Sequence, residues 1–312
     1  MSRATHWASL SERGSVLGIR IVVACFRFLG ERAARALLYP VVAYFLVTGP
    51  AARRASNQYF ARLRSFAGES TSLPRPGWRT AFRHMMAFAE SALHKFAAWL
   101  GKIEEEKVEF PDQAELQRVL ASGKGALLIG AHLGNLELTR ALAAGGRKAA
   151  VNAVVYAEHG RGFFDALAKA NPDFSVNLIH VDEVGPATSI ELKDKVDRGE
   201  LLVIVGDRTP ANERGRTCSV DFLGAPAQFA KGPFILASLL ECPVYLFFCL
   251  KEDGGYRIHL ERFAERVALP RAEREARLRE LAQRYAHRLE SYCLLAPYQW
   301  FNFYDYWEKL PA

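Results

Sequence analysis

The feature that most constrains the fold is a regular alternation, from about residue 108 onward, of short apolar runs with segments of helical length. This alternation is typical of α/β folds, in which helices cover the faces of a central sheet. Six runs have the length and composition of buried strands: GALLIGA (125–131), AVNAVVYA (150–157), VNLIHV (176–181), LLVIVGD (201–207), PVYLFFCL (243–250) and YRIHLERF (256–263). The sequence therefore predicts an α/β fold with a mixed, largely parallel central sheet flanked by helices.

The N-terminal region has a different composition. Residues 1–66 contain ten arginines and only two acidic residues, Glu12 and Glu31. Arginines interleaved with apolar runs such as IVVACF are typical of helices that lie on an anionic membrane. Ordinary helices that face the protein core are the alternative. We predict a membrane-associated helical segment at 1–67 and an α/β domain at 68–312, and we expect no nucleic-acid partner.

The sequence leaves open whether this segment crosses a membrane. Seventeen uncharged residues separate Arg35 from Arg53, and Pro40 interrupts them. Crossing the hydrocarbon core takes about 20 apolar residues, so a span is marginal. Gly30 and the TGP sequence at 48–50 predict breaks between helices, and a turn-rich linker at 68–77 predicts a new helix after it.

A polar stretch after the first predicted strand contains two candidate catalytic residues, His132 and Glu137. Ligands of open α/β sheets bind at the carboxyl ends of strands. Five positions on one helix would separate the two side chains by about 140°, but a turn between them lets both converge at a helix N-terminus. A neutral imidazole held by a carboxylate is what a general base needs. The alternative is a surface histidine beside an unrelated glutamate that stabilises the helix dipole.

Three sequence blocks in the same order resemble the glycerolipid and lysophospholipid acyltransferase superfamily, and specifically its lipid A late-acyltransferase branch. GAHLGNLE (130–137) is similar to the H-x4-D/E block of that superfamily. The stretch 206–237 is similar to a later block in which Asp followed by Gln or Arg ends a strand. CPVYLFFCL (242–250) resembles a strand that opens after Cys-Pro. The resemblance covers roughly residues 80 to 305.

The resemblance implies a mechanism for His132 and Glu137. His132 would deprotonate a hydroxyl of a lipid acceptor, and Glu137 would orient His132. The alkoxide would attack the thioester carbonyl of an acyl carrier protein or of coenzyme A, without an acyl-enzyme. The resemblance implies no metal and no cofactor beyond this donor. It also implies a location on the cytoplasmic face of a bacterial inner membrane.

Further residues are candidates for binding the acceptor or an anionic donor group. Four of them follow predicted strands or begin predicted helices: Asn135, Asp207, Arg208 and Lys231. Ordinary caps and surface charges are the alternative for each. Where lipid A enzymes carry an arginine-containing block, this chain has VVYAEHGRGFF, in which Arg161 is the candidate replacement. Because the phosphates of a lipid A disaccharide would need such arginines, the acceptor stays open.

Two other functions remain as alternatives. A thioesterase would use the same pair of residues on water, and a non-catalytic membrane-surface protein would only bind lipid. The chain has no G-x-S-x-G sequence, which disfavours a serine hydrolase of the nucleophile-elbow type. Its five cysteines lack the close spacing of a zinc site or a redox pair. The aromatic residues at 298–307 suit either packing against the sheet or a membrane interface.

Overall fold

A computed structural model describes residues 16–68, 71–99, 108–135, 150–156, 176–181, 186–209 and 215–307. The helices of this part of the chain are α1 (Val16–Thr48), α2 (Pro50–Ala67), α3 (Trp78–Trp99), α4 (Gln113–Ala121), α5 (Pro186–Asp197), α6 (Gly232–Leu240) and α7 (Arg274–Leu295). The strands are β1 (Val108–Glu109), β2 (Leu127–Gly130), β3 (Val151–Tyr156), β4 (Val176–Val181), β5 (Leu201–Val205), β6 (Thr217–Phe222), β7 (Ala225–Ala230), β8 (Val244–Glu252) and β9 (Gly255–Ala264). All six predicted strands are therefore present.

The central sheet has the strand order β1-β9-β8-β2-β5-β3-β4. Every neighbouring pair in it is parallel except β8 and β9, which form an antiparallel hairpin. The prediction of a mixed, largely parallel sheet is confirmed. In the described ranges α5 lies between the parallel strands β4 and β5, because a parallel connection has to return to the same end of the sheet.

Both faces of the sheet are covered, and the central strands are accordingly apolar along their whole length. Leu127 and Ile129 of β2 face a core cluster that includes Leu281 and Tyr285 of α7. Leu128, which alternates with them, faces a second cluster with Leu116 and Val119 of α4. The alternation of side chains along a strand thus places α7 on one face and α4 on the other.

The β6–β7 hairpin was not predicted. The two-residue turn at Leu223 and Gly224 has φ values of 51° and 73°, the left-handed conformation typical of tight hairpins. The family resemblance of the block 206–237 implied here a turn that bears phenylalanine and glycine and precedes a helix. The alternating burial of TCSVDF in β6 is the strand pattern that this interpretation overlooked.

The N-terminal helices pack against the rest of the protein. α1 is interrupted at Gly30, where φ is 85°, and residues 24–48 meet α2 at 93°, so both predicted breaks are confirmed. Within the described ranges no single helix meets the length and hydropathy needed to cross a membrane, although this bent pair does so by length and composition. Tyr59, Phe60 and Leu63 of α2 are buried in the same core cluster as the sheet residues.

Candidate active site

His132 and Asp207 lie at the carboxyl ends of two neighbouring parallel strands. β2 and β5 pair in register, with Gly130 opposite Val205. His132 comes two residues after Gly130 and Asp207 two residues after Val205, so the register brings their side chains together. The imidazole Nδ1 lies 2.8 Å from Oδ1 of Asp207. The backbone N–H of His132 also donates to the carboxylate, 3.0 Å from each oxygen.

Asp207 is held by several donors besides His132. Its side chain is fully buried. The Trp300 indole N–H donates to Oδ2 at 3.1 Å, and the Asn302 amide donates to the same oxygen at 2.8 Å. The Tyr306 hydroxyl donates to the backbone carbonyl of Asp207 at 2.9 Å. A buried carboxylate with this many donors is fixed in place and need not reorient when a neighbour gains charge.

The surroundings favour an ionised Asp207 and a neutral His132. Burial would raise the pKa of Asp207, but the His132 ring, the Arg208 charge and the Asn302 amide outweigh it and lower that pKa below its ordinary value. Burial lowers the pKa of His132, and the charge of Arg208 lowers it further, against the opposite effect of Asp207. At neutral pH the imidazole is therefore uncharged.

The contact with Asp207 fixes which ring nitrogen of His132 carries the proton. A neutral imidazole has one N–H, and Nδ1 must donate it because an ionised carboxylate only accepts. The lone pair then lies on Nε2. Within the described residues Nε2 makes no hydrogen bond, and 28% of the side chain is exposed. A neutral imidazole held in this tautomer has the chemistry that a general base requires.

The C-terminal segment forms backbone hydrogen bonds with the loop that contains His132. The Phe301 N–H donates to the His132 carbonyl at 2.7 Å, and the Gly134 N–H donates to the Gln299 carbonyl at 2.9 Å. Gly134 has a φ of 70°, and a Cβ added there would lie 2.0 Å from the Cys249 carbonyl oxygen. The loop after His132 therefore needs a glycine at this position.

A cavity of about 160 Å³ borders this loop. Gly134, Tyr256, Tyr298 and Phe301 contribute to its walls. Asn135, predicted as a substrate-binding residue and helix cap, is buried next to it and hydrogen-bonds the Tyr256 hydroxyl. The residues after Asn135 lie outside the described ranges, so the cap itself stays a prediction.

A buried histidine, His84 of α3, supports the C-terminal segment. Its Nε2–H donates to the Trp300 carbonyl at 2.8 Å, and the Ser56 hydroxyl of α2 contacts Nδ1 at 3.0 Å. Trp300 in turn donates to Asp207. Through these hydrogen bonds, α2 and α3 support the segment that holds the Asp207 carboxylate beside His132. Sequence reasoning did not identify His84, Trp300 or Asn302.

Acid should destabilise the protein through His84. Burial lowers the pKa of His84 to about 4, from 6.5 in an exposed histidine, so the folded state binds this proton less readily than the unfolded state. Neutral His84 does not reduce the free energy of unfolding above about pH 6.5. As the pH falls from about 6.5 to about 4, the unfolded state takes up the proton first, and the free energy of unfolding falls by about 3 kcal/mol. Replacing His84 with glutamine, whose amide can still donate to the Trp300 carbonyl, should remove this part of the acid sensitivity. Unfolding free energies measured across that pH range test this.

The control for this prediction is His287→Gln, at an exposed position on α7. It should keep the acid sensitivity of the unmodified protein. If His84→Gln loses stability in acid as steeply as the unmodified chain, His84 is not the group responsible.

The remaining predicted site residues fall into three groups. Arg208 lies at the site, where its guanidinium donates to the Asn302 side-chain oxygen at 2.8 Å and to the Phe301 carbonyl at 3.1 Å. Lys231 pairs instead with Glu275 at the start of α7, at 2.6 Å.

Glu137 and Arg161 lie outside the described residues, so their roles stay predictions. The carboxylate in contact with Nδ1 is Asp207, which the sequence suggested only as a substrate-binding residue.

The fold and the site are those of an α/β enzyme with a histidine–carboxylate pair at the carboxyl edge of a parallel sheet. The family model described as bacterial lipid A biosynthesis acyltransferase matches residues 78–309. The chain therefore belongs to this family, and it is an acyltransferase of that general kind. A search among curated proteins found no match.

Proposed function

We propose that the protein transfers a fatty acyl chain from a thioester to a hydroxyl group of an envelope glycolipid, with His132 as the general base. The observation that carries this proposal is the 2.8 Å contact between Nδ1 of His132 and Asp207, which leaves Nε2 unprotonated. The donor is the thioester of an acyl carrier protein or of coenzyme A, and the acceptor is a lipid A precursor or another envelope lipid.

The reaction takes place in two proton transfers and one substitution. Nε2 of His132 accepts the proton of the acceptor hydroxyl as its oxygen attacks the thioester carbonyl. The new C–O bond forms and the C–S bond breaks, so that the acyl chain moves directly to the acceptor. The leaving thiolate then takes the proton from the imidazolium. No acyl-enzyme is formed, and no metal or cofactor takes part in these steps.

Asp207 has two tasks in this mechanism. It holds Nδ1–H and so presents Nε2 to the acceptor, and its negative charge stabilises the imidazolium while the proton resides there. Glu137, which the family resemblance gives the orienting role, is proposed as a second carboxylate beside the same histidine. Arg208 is proposed to face the anionic part of a substrate, because its charge lies near His132.

We also propose that the protein works on the cytoplasmic face of a bacterial inner membrane. The support for this is the outer surface of α1, where large apolar side chains are exposed: Phe28, Leu29, Tyr44 and Val47. Arg27, Arg32 and Arg35 lie in the same helix, and exposed apolar side chains together with arginines favour the interface of an anionic membrane.

A test of the transfer reaction is whether thiol release depends on an acceptor. The purified protein is incubated with an acyl thioester, with or without extracted envelope lipids. We expect rapid thiol release only with the lipids, together with a lipid product heavier by one acyl group in mass spectrometry. Equally rapid thiol release without any acceptor would contradict transfer and favour the thioesterase alternative.

A further inference from the structure

A positively charged groove lies at the N-terminal end of α3, separate from the His132 side chain. It has a volume of about 570 Å³. Arg75, Arg79 and Arg83 line it, with Trp78 and Tyr298 as aromatic walls. None of its lining residues is acidic, and the first turn of α3 also contains no acidic residue.

The three arginines are available to a ligand. All three are exposed, and in the part of the chain that the structure describes none of them pairs with a carboxylate. Arg83 lies over the Tyr298 ring, with 5.4 Å between Cζ and the ring centre. Three guanidinium groups around one concave surface, without a carboxylate partner among the described residues, attract an anion, and their planar donors suit the oxygens of a phosphate group.

The groove is continuous with an exposed apolar surface. Arg53 of α2 lies against the Trp78 ring, with Cζ 4.1 Å from its centre, and donates to the Leu46 carbonyl of α1 at 2.8 Å. The same end of α1 exposes 63% of Tyr44 and 64% of Val47. A soluble phosphate compound would use only the arginines. A lipid with an anionic headgroup would use both surfaces, because its acyl chains are apolar.

We propose that this groove binds the phosphate of an anionic membrane lipid. Arg75, Arg79 and Arg83 hold the phosphate oxygens, while the exposed end of α1 contacts the lipid layer. Tyr298 also lines the cavity beside Gly134, so the groove and that cavity share one wall. The inference rests on the proposed placement at a membrane surface, but it concerns a specific headgroup site and does not depend on catalysis.

The test measures binding of the full chain to vesicles of two compositions, phosphatidylcholine alone and phosphatidylcholine with phosphatidic acid. The variant replaces Arg75, Arg79 and Arg83 with glutamine. The control replaces Arg271, Arg274 and Arg279, three exposed arginines outside the groove, with the same net loss of charge. Since each arginine near an anionic surface contributes about fivefold, we expect the groove variant to bind phosphatidic acid vesicles about 100-fold more weakly. The control should bind as the unmodified protein does.

Different results distinguish the possible failures. Equal weakening of both variants would mean non-specific charge attraction, which overturns the headgroup site but leaves the membrane placement intact. No binding of any variant to either vesicle would overturn the membrane placement itself. Binding of inorganic phosphate or coenzyme A without vesicles, if it depends on the same three arginines and displaces the vesicles, would identify a soluble ligand and overturn the lipid assignment. Thermal unfolding midpoints check that both variants are folded.

Discussion

Replacing His132 with alanine is expected to lower the rate of acyl transfer by about 100-fold to 10,000-fold, the usual contribution of a general base. The proposed mechanism uses Nε2 of His132 as the proton acceptor, because Nδ1 is held by Asp207. The effect should fall on the rate of the chemical step. Mass spectrometry of the acylated lipid over time, with purified protein and a saturating donor, measures it.

The matched control is His259→Ala on β9. His259 is also partly exposed and also contacts a carboxylate, with Nε2 2.7 Å from Glu252, but it lies outside the site. We expect this variant to keep the unmodified rate. Vesicle binding of His132→Ala should stay near that of the unmodified protein. Its thermal midpoint should fall, because the buried Asp207 carboxylate loses a hydrogen bond of about 1.5–3 kcal/mol, so rates are compared at a temperature where both proteins are folded. Unchanged transfer by His132→Ala would remove the catalytic assignment and favour a protein that only binds lipid.

The sheet could be predicted from sequence because its central strands are buried on both faces. Continuous apolar runs such as LLVIV of β5 differ clearly from the mixed segments between them, and this contrast requires no knowledge of the fold. The β6–β7 hairpin packs against α7 and the C-terminal aromatic residues, and the sequence analysis did not identify its strands. The stability of this hairpin depends on tertiary packing, which cannot be predicted from the pattern of neighbouring residues in the sequence.

The site was predicted in part. His132 was identified from its position after a strand and from the resemblance, and Asp207 was identified as a strand-end residue. Their pairing was missed because β2 and β5 are neighbours only in the folded sheet, while β3 and β4 intervene along the chain. The common signal was that GAH and VGD both place a polar residue at the end of an apolar run. Parallel neighbours bring such ends together, but the strand order was unknown.

The supporting residues gave weaker signals. Trp300 and Asn302 lie in an irregular segment with no period of apolar residues, so their contact with Asp207 follows from tertiary packing alone. Sequence reasoning left two uses open for the aromatic residues at 298–307. Trp300, Phe301 and Tyr306 are buried, and Trp300 and Tyr306 belong to the core cluster of the sheet, which favours packing over a membrane interface for these residues.

Replacing Asp207 with asparagine should reduce both activity and stability. The amide keeps the shape of the carboxylate but turns an NH2 group towards donors that previously faced an oxygen, either at His132 or at Trp300 and Asn302. Hydrogen bonds to a buried charged group contribute about 1.5–3 kcal/mol each, so we expect a loss of about 3 kcal/mol in the free energy of unfolding. The transfer rate should fall by at least about 100-fold, because His132 loses the group that fixes its tautomer. Asp253→Asn, at an exposed position in the β8–β9 turn, should change neither quantity.

The pH dependence separates a catalytic role of Asp207 from a purely structural one. In the unmodified protein the transfer rate should fall in acid as His132 becomes protonated, with a midpoint below 6.5 because burial and Arg208 lower the pKa of His132. Asp207 raises that pKa, so in Asp207→Asn the midpoint of the remaining activity should move to lower pH. The pH profile of kcat/KM for both proteins provides the comparison. An unchanged midpoint with a normal rate in the folded variant would mean that Asp207 only stabilises the loop and that another group orients the base.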